Sequence, residues 1–193
     1  MDNIKFCDIC YCTYVPSVAG DIEYHKRIHE SAVNGIQIRI SNRDRVIQKK
    51  DNYQLVVIDS DSTLSQFNRL GKLSKFISTS LFRDSFNYHI HLSYPISPEH
   101  KFFLLCTKGR IIGCLDIKFF PEIADEPVWI IKMIWLAINY RNKGLARLII
   151  ESSLRFLETD LSSVGWESPF SKMGLTFVQS LCPDGYKTFV ARH

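Results

Sequence analysis

Residues 128–151 read VWIIKMIWLAINYRNKGLARLIIE, and the character of the chain changes twice within them. Val128 to Leu136 is β-branched, aromatic and apolar, broken only by Lys132. That is the pattern of a fully buried strand, and it falls well short of the roughly 20 apolar residues of a membrane span. Next comes the basic turn Arg141-x-x-Gly144-x-Ala146. Leu145, Leu148, Ile149 and Phe156 then recur at helical spacing, which predicts a helix to about Glu158. A helix that starts directly after a buried strand points its first backbone N–H groups outward. Together with the positive end of the helix dipole they can wrap a pyrophosphate. Gly144 permits close backbone approach, Ala146 keeps the next turn narrow, and Arg141, Lys143 and Arg147 add positive charge. An ordinary basic helix start has the same residues. The buried strand before it and the amphipathic helix after it are what single this one out.

Upstream, Lys101–Thr107 (KFFLLCT) and Arg110–Phe120 (RIIGCLDIKFF) flank Lys108-Gly109 and read as a hairpin. Ile36, Ile38 and Ile40 alternate with Gln37 and Arg39 in a half-buried strand. A turn at Asn42–Arg45 leads to a stretch that pairs back, and Gln54–Asp59 is a short buried strand. Asp61 or Ser62 caps a helix carrying Leu64, Phe67, Leu70, Leu73, Phe76 and Ile77, with Gly71 a mid-helix cost, and this helix fades near Phe86. A loop with Pro95 and Pro98 follows. Downstream of the hairpin, Pro121–Pro127 reads as an acidic loop. Past a break at Gly165, Ser171–Leu181 reads as a helix and Tyr186–Ala191 as a last strand. The order predicts a mixed α/β (α+β) fold, antiparallel in its first half, with a strand–loop–helix crossover at 128–158.

The N-terminus carries a separate signal. Cys7, Cys10, His25 and His29 form Cys-x2-Cys and His-x3-His, which is zinc-ligand spacing. Cys-x2-Cys places two thiolates on one knuckle, and the two histidines share a face if their segment is helical. Asp21 suits an N-cap and Glu23 the first turn. A closed Cys2His2 set implies structural Zn2+, and a piece this short needs the metal to fold. Cys12 offers an alternative pairing, Cys-x4-Cys, and is otherwise a spare buried thiol.

Length and charge set bounds. The 193 residues suit one finger (1–32), connecting strands (33–53) and one compact domain (54–193). A net charge of +4 is below a nucleic-acid signature. Six cysteines without a secretory leader point to a reducing compartment, and no membrane span is expected. Cys106 and Cys114 read as buried fillers, His89 and His91 as loop histidines that can reach a metal, and Asp116 as an alternative base in the hairpin.

The run from buried strand through Arg141-x-x-Gly144-x-Ala146 resembles the acetyl-CoA motif of the GNAT N-acetyltransferases, Arg/Gln-x-x-Gly-x-Gly/Ala. A single finger directly before such a domain is similar to the sister-chromatid cohesion acetyltransferases, which modify cohesin. The finger (CDIC-YCTY, D-IEYHKRIHE), Ile134-Trp135-Leu136, the spacing on to Glu151, and Trp166-Glu167-Ser168-Pro169 with Gly174 all run in step with that family. Tyr186 and Phe189 in the closing strand fit it too. The resemblance implies a mostly antiparallel GNAT-like sheet flanked by helices behind a small ββα finger. It implies an acetyl-CoA-dependent protein-lysine N-acetyltransferase acting on the cohesin SMC subunit's ATPase head, with nuclear location and chromatin association. The backbone of Ile134, Trp135 and Leu136 would pair with the pantetheine arm. Arg141, Asn142, Lys143, Gly144, Leu145, Ala146 and Arg147 would cradle the pyrophosphate, with Ser171 also at the cofactor. Glu151 matches the family's general base, and Ser168 stands at the second catalytic position.

Some features depart from the family. Ser168 replaces an acid that often precedes the proline, Glu167 lies one place earlier, Phe170 replaces a threonine, and one residue is added before Gly174. No sliding-clamp box (Gln-x-x-aliphatic-x-x-aromatic-aromatic) is present. Two alternatives stand beside this reading: a GNAT enzyme with another amine acceptor, and a non-enzymatic finger protein that binds nucleic acid, although one finger reads only about 3 base pairs. On the cohesin reading, zinc removal should destabilise the N-terminus and leave acetyl-CoA binding largely intact.

Overall fold

The computed structural model describes residues 3–38, 40–81, 92–123 and 126–190. Its first unit is the ββα finger, where β1 (Lys5–Phe6) pairs antiparallel with β2 (Thr13–Tyr14) and α1 (Ala19–Asn34) follows. The helix begins two residues before the expected Asp21 cap. Val18 is the N-cap without a side-chain bond, and Asp21 in the first turn accepts from the Val15 amide at 3.0 Å. The helix also runs two residues past the expected end of the finger at 32, to Asn34. Gly35 ends it at φ 87°, where an added Cβ would stand 2.5 Å from the Ile111 carbonyl oxygen, so only glycine fits this approach.

The remaining strands make one sheet. Along the series β4 (Arg45–Lys50), β5 (Tyr53–Ile58), β6 (His100–Thr107), β7 (Arg110–Ile123) and β8 (Glu126–Leu136), each strand is antiparallel to the one before. β9 (Gly165–Ser168) and β10 (Lys187–Val190) extend the sheet in parallel, giving the order β10-β9-β8-β7-β6-β5-β4. β3 (Ile36–Gln37) pairs with β7 beyond the point where β8 ends. The 33–53 strands are therefore part of the same sheet as the domain that follows them. The expected crossover is α3 (Leu145–Phe156) between β8 and β9, and α4 (Lys172–Leu181) crosses from β9 to β10.

Two readings are corrected. Pro121–Pro127 is not a loop: β7 runs to Ile123 and β8 starts at Glu126, with Ile123 opposite Glu126. The register shifts between Phe120 and Ile123, so Pro121 falls at an irregularity where a missing N–H costs the ladder little. Gly165, read as a break, opens β9. The fading of the second helix near Phe86, and His89 and His91, lie outside the described residues.

Alternation sorts the core onto two faces. Leu55, Val57, Phe103, Leu105, Leu115 and Ile117 pack beneath α3 and α4 with Ile149, Ile150 and Trp166. Val56, Ile58, Phe102 and Leu104 face α2 (Leu64–Leu81), which buries Leu70, Leu73 and Ile77 at helical spacing. Phe102 and Phe103, neighbours on β6, are both fully buried on opposite faces, and truncating either to Ala is worth about 3–5 kcal/mol. Among the described residues no helix is long and apolar enough to cross a membrane.

Candidate active site

β8 and β9 pair only at Ile130–Gly165 and Ile131–Trp166. Beyond that point the strands part, and the C-terminal half of β8 has no partner strand on that side. A cleft of about 490 Å³ fills the opening. One wall is Ile134, Trp135 and Leu136, the floor brings Arg141, Asn142 and Ala146, and α4 supplies the other wall, with Ser171, Met173, Gly174 and Phe177 among its residues. Seven of the eleven residues expected at a cofactor are thus brought together in one place. Of the other four, Lys143, Gly144 and Arg147 flank the cleft in the loop and first turn, while Leu145 is buried beneath α3 as a core anchor.

The loop has the backbone an anion needs. A single 3-10 turn, Ile138–Tyr140, leads from β8 into it. Asn142 (φ 56°) and Gly144 (φ 73°) are both left-handed, and Gly144 is the N-cap of α3. No side chain caps α3 and no acid stands in its first turn, so its opening amides are left for a ligand. Arg141 is tied across the mouth: its Nε donates to the Leu136 carbonyl at 3.0 Å and its Nη1 lies 3.9 Å from the Met173 sulfur. Lys143 Nζ sits 5.7 Å from the Tyr140 ring centroid. Ser171 caps α4, its Oγ accepting from the Gly174 amide at 3.0 Å. The sequence reading found the α4 helix without assigning its face to the cleft. Its only local signal is the run of small and polar residues Gly174, Thr176 and Ser180 along one side.

The two residues expected to be catalytic lie elsewhere. Glu151 is on the exposed face of α3, 3.6 Å from Arg147, and does not line the cleft. Ser168 ends β9, and its Oγ donates to the Phe189 carbonyl at 3.2 Å. Two charged pairs on the strands around β8 went unnoticed in the sequence: His100–Asp116 at 2.6 Å across β6 and β7, and Lys132–Glu167 at 2.8 Å across β8 and β9. Asp116, the alternative base, is thus occupied by His100. Burial pushes the Cys106 thiol up to about 12 and raises Cys114 well above its ordinary value, which suits them as apolar fillers.

In the finger, ligand atoms of Cys7, Cys10, His25 and His29 lie within 4.8 Å of one another, which selects Cys10 over Cys12 as the fourth ligand. Cys12 is buried and its Sγ faces the Thr13 carbonyl at 3.5 Å. His25 Nε2 is buried with no hydrogen-bond partner, as a metal ligand would be before the ion is counted. Burial works to raise the Cys7 thiol, but the Cys10 amide, His25, the Ile9 amide and His29 outweigh it and bring it down to about 6. Burial and the sulfurs beside it push Cys10 up to about 11, so a bound cation is what would hold both as thiolates. The set fits a structural Zn2+, which would supply the folding energy of the module.

Comparison with known proteins agrees with this geometry. A family model described as acetyltransferase (GNAT) family matches residues 69–165, from α2 to the start of β9. The structure of the xEco2 acetyltransferase domain bound to a K105–CoA conjugate is similar at TM-score 0.62, with 15% identity, 79% of this chain and 100% of that chain covered. The aminoglycoside acetyltransferase meta-AAC0020, from an uncultured soil metagenomic sample and in complex with sisomicin, is similar at TM-score 0.55, with 14% identity, 74% of this chain and 95% of that chain covered. No curated protein sequence matches the chain. Identities this low speak for the fold alone, whereas the family model spans the cleft's strand, loop and helix: the chain belongs to the GNAT acetyltransferase family.

Proposed function

We propose that the protein is a protein-lysine N-acetyltransferase that moves acetyl from acetyl-CoA to lysines in the ATPase head of the cohesin SMC subunit, acting in the nucleus on chromatin. The observation that carries the reading is the Cys2His2 finger packed directly against a GNAT domain. Cys10, Cys12 and Ala32 of the finger are buried against Phe76 of α2 and Ile138 of the 3-10 turn. The likeness to the xEco2 domain supports it, since that domain was solved with a lysine–CoA conjugate.

The chain's own groups divide the work. The α3 amides and the left-handed loop bind a pyrophosphate, with Arg141, Lys143 and Arg147 around it. The free edge of β8 at Ile134–Leu136 offers backbone groups to an amide-bearing arm. Acetyl-CoA supplies the activated acyl group. Holding the thioester and an amine in one cleft turns a bimolecular step into a local one.

The test is incubation with labelled acetyl-CoA and the SMC head. Labelled head lysines are the expected result. Equal labelling of unrelated amines, with none on the head, overturns the acceptor assignment. A second reading, a small-amine acceptor, is favoured by the fold shared with the sisomicin complex, and kanamycin in the same assay tests it.

A further inference from the structure

Acetyl transfer, on which this inference rests, needs a group to take the proton of the incoming ammonium, whose own pKa is about 10.4. Among the described residues that line the cleft there is no carboxylate, and Glu151 is turned to Arg147 on the outer face of α3. A carboxylate outside that lining stands just past the closed end, where β8 and β9 meet. Glu167 follows Trp166, the last β9 residue paired with β8, and Lys132 follows Ile131, its partner. Their side chains join at 2.8 Å across the fork. Lys132 is two residues, about 7 Å, short of Ile134 in the cleft wall.

Face and register both matter here. Trp166 is buried beneath α3, so alternation along β9 turns Glu167 to the opposite face. Lys132 is the extra residue of a β-bulge: Asp116 pairs with Met133 and Ile117 with Ile131, leaving Lys132 between them. A bulge re-aims side chains. This one sits at the point where the strand edge becomes free, and it directs Lys132 across the fork to Glu167. Glu167 keeps a 15% exposed side chain and Lys132 24%, so the pair is sheltered yet reachable. The charged groups on this part of the sheet, besides Lys132, include Lys187 of β10, two residues from the register partner of Glu167, Lys118 of β7 and the His100–Asp116 pair, joined at 2.6 Å.

We propose that Glu167 is the catalytic carboxylate that meets the acceptor ammonium, and that Lys132 is the positioning residue that aims it. The amine's proton passes to Glu167, directly or through one water, and from there to solvent. The freed lone pair forms the N–C bond at the thioester carbonyl, and the nitrogen, now cationic, gives up its second proton to solvent. The C–S bond breaks, and the sulfur leaves with its electron pair and takes a proton from solvent. One proton is released per acetyl transferred, and no oxidant or further reactant is needed.

Full-length zinc-loaded wild type, Glu167→Gln, Glu151→Gln, Lys132→Met and Lys132→Arg are compared with three acceptors: the SMC head, Nα-acetyl-lysine methyl ester and kanamycin. Thiol release gives kcat and KM, and calorimetry gives acetyl-CoA affinity. Glu167→Gln should lower kcat about 100-fold or more, with acetyl-CoA affinity retained, which also shows that the variant is folded. The deficit should shrink between about pH 7 and pH 9.5, as more acceptor arrives already deprotonated. Lys132→Met should lower kcat less, and Lys132→Arg should recover it. Glu167→Gln within about threefold of wild type overturns the proposal, and loss in Glu151→Gln instead returns the proton to Glu151. A deficit that ignores pH also overturns it. Wild type that binds acetyl-CoA but acetylates none of the three acceptors overturns the transfer reading itself.

Discussion

Single residues in this chain are held by polar arrangements that hydrophobic pattern does not announce. Asp44 is buried just before β4, where its carboxylate accepts from Arg69 Nη1 at 2.7 Å, from Gln66 Nε2 at 3.0 Å and from the Ser41 amide. Burial works to raise its pKa. The Arg69 guanidinium, the Ser41 amide and Gln66 outweigh that and hold the carboxyl below its usual range. A depressed folded value gives stability that is present above the unfolded value, about pH 4, and is lost as pH falls through the lower folded one. Asp44→Asn leaves Arg69 without its anion in a largely buried place. It should cost about 3 kcal/mol at neutral pH. Melting curves from about pH 6 down to pH 2.5 should show the gap between wild type and variant closing below about pH 4. A gap constant over that range would remove the ion pair as the cause. None of this was legible in the sequence, because Asp44 sat in a turn and its partner Arg69 in a helix, 25 residues apart.

At the scale of elements, legibility followed periodicity. The β6–β7 hairpin, the buried β8, α3 and α4 were all readable, since each shows a clean period or a long apolar run. β9 was not, because four residues with one buried aromatic carry no period. β7 and β8 were read short because Pro121 and Pro127 punctuate the turn, and a bulge absorbs the irregularity. The cleft was half legible. Its β8 wall and loop carry residue types that chemistry demands, whereas its α4 wall is set by where the crossover lays the helix. The loop itself makes a sharp forecast. Gly144 has φ 73° with nothing within 4 Å of an added Cβ, so a side chain there meets backbone strain and, when ligand is bound, the phosphate path. Gly144→Val should lower stability by about 1–2 kcal/mol. It should weaken acetyl-CoA binding by at least about tenfold, because the opening amides of α3 are no longer approachable. Calorimetric titration with acetyl-CoA checks this, and unchanged affinity would place the pyrophosphate elsewhere.

On the whole-molecule scale, the finger and the acetyltransferase sheet meet at the root of the cofactor loop. The end of α1 is bonded to the 3-10 turn, Asn139 Nδ2 donating to Asn34 Oδ1 at 2.7 Å, while Arg110 of β7 donates to the Gly35 carbonyl at 2.9 Å and pairs with Glu30 at 2.9 Å. Buried Cys10, Cys12 and Ala32 of the finger close over Phe76 and Ile138. Ile138 begins the turn that delivers Arg141 and Asn142 to the cleft. Sequence spacing treats the finger as an appendage whose metal can be removed without loss of cofactor binding. The packing argues otherwise, since α1 is braced by the Cys2His2 set through His25 and His29 in its middle and braces the loop's root at its C-terminal end. Stripping zinc with a chelator should therefore do two things together. The melting temperature should fall as the finger unravels. Acetyl-CoA affinity should also fall, by about fivefold or more, as the 3-10 turn loses its support. Zn2+ added back should restore both. Ala32→Asp, which puts a charge into the buried seam and leaves all four ligands in place, should reproduce the affinity loss with zinc still bound. Full acetyl-CoA affinity in the zinc-free protein would show that the loop is held by β8 and α3 alone.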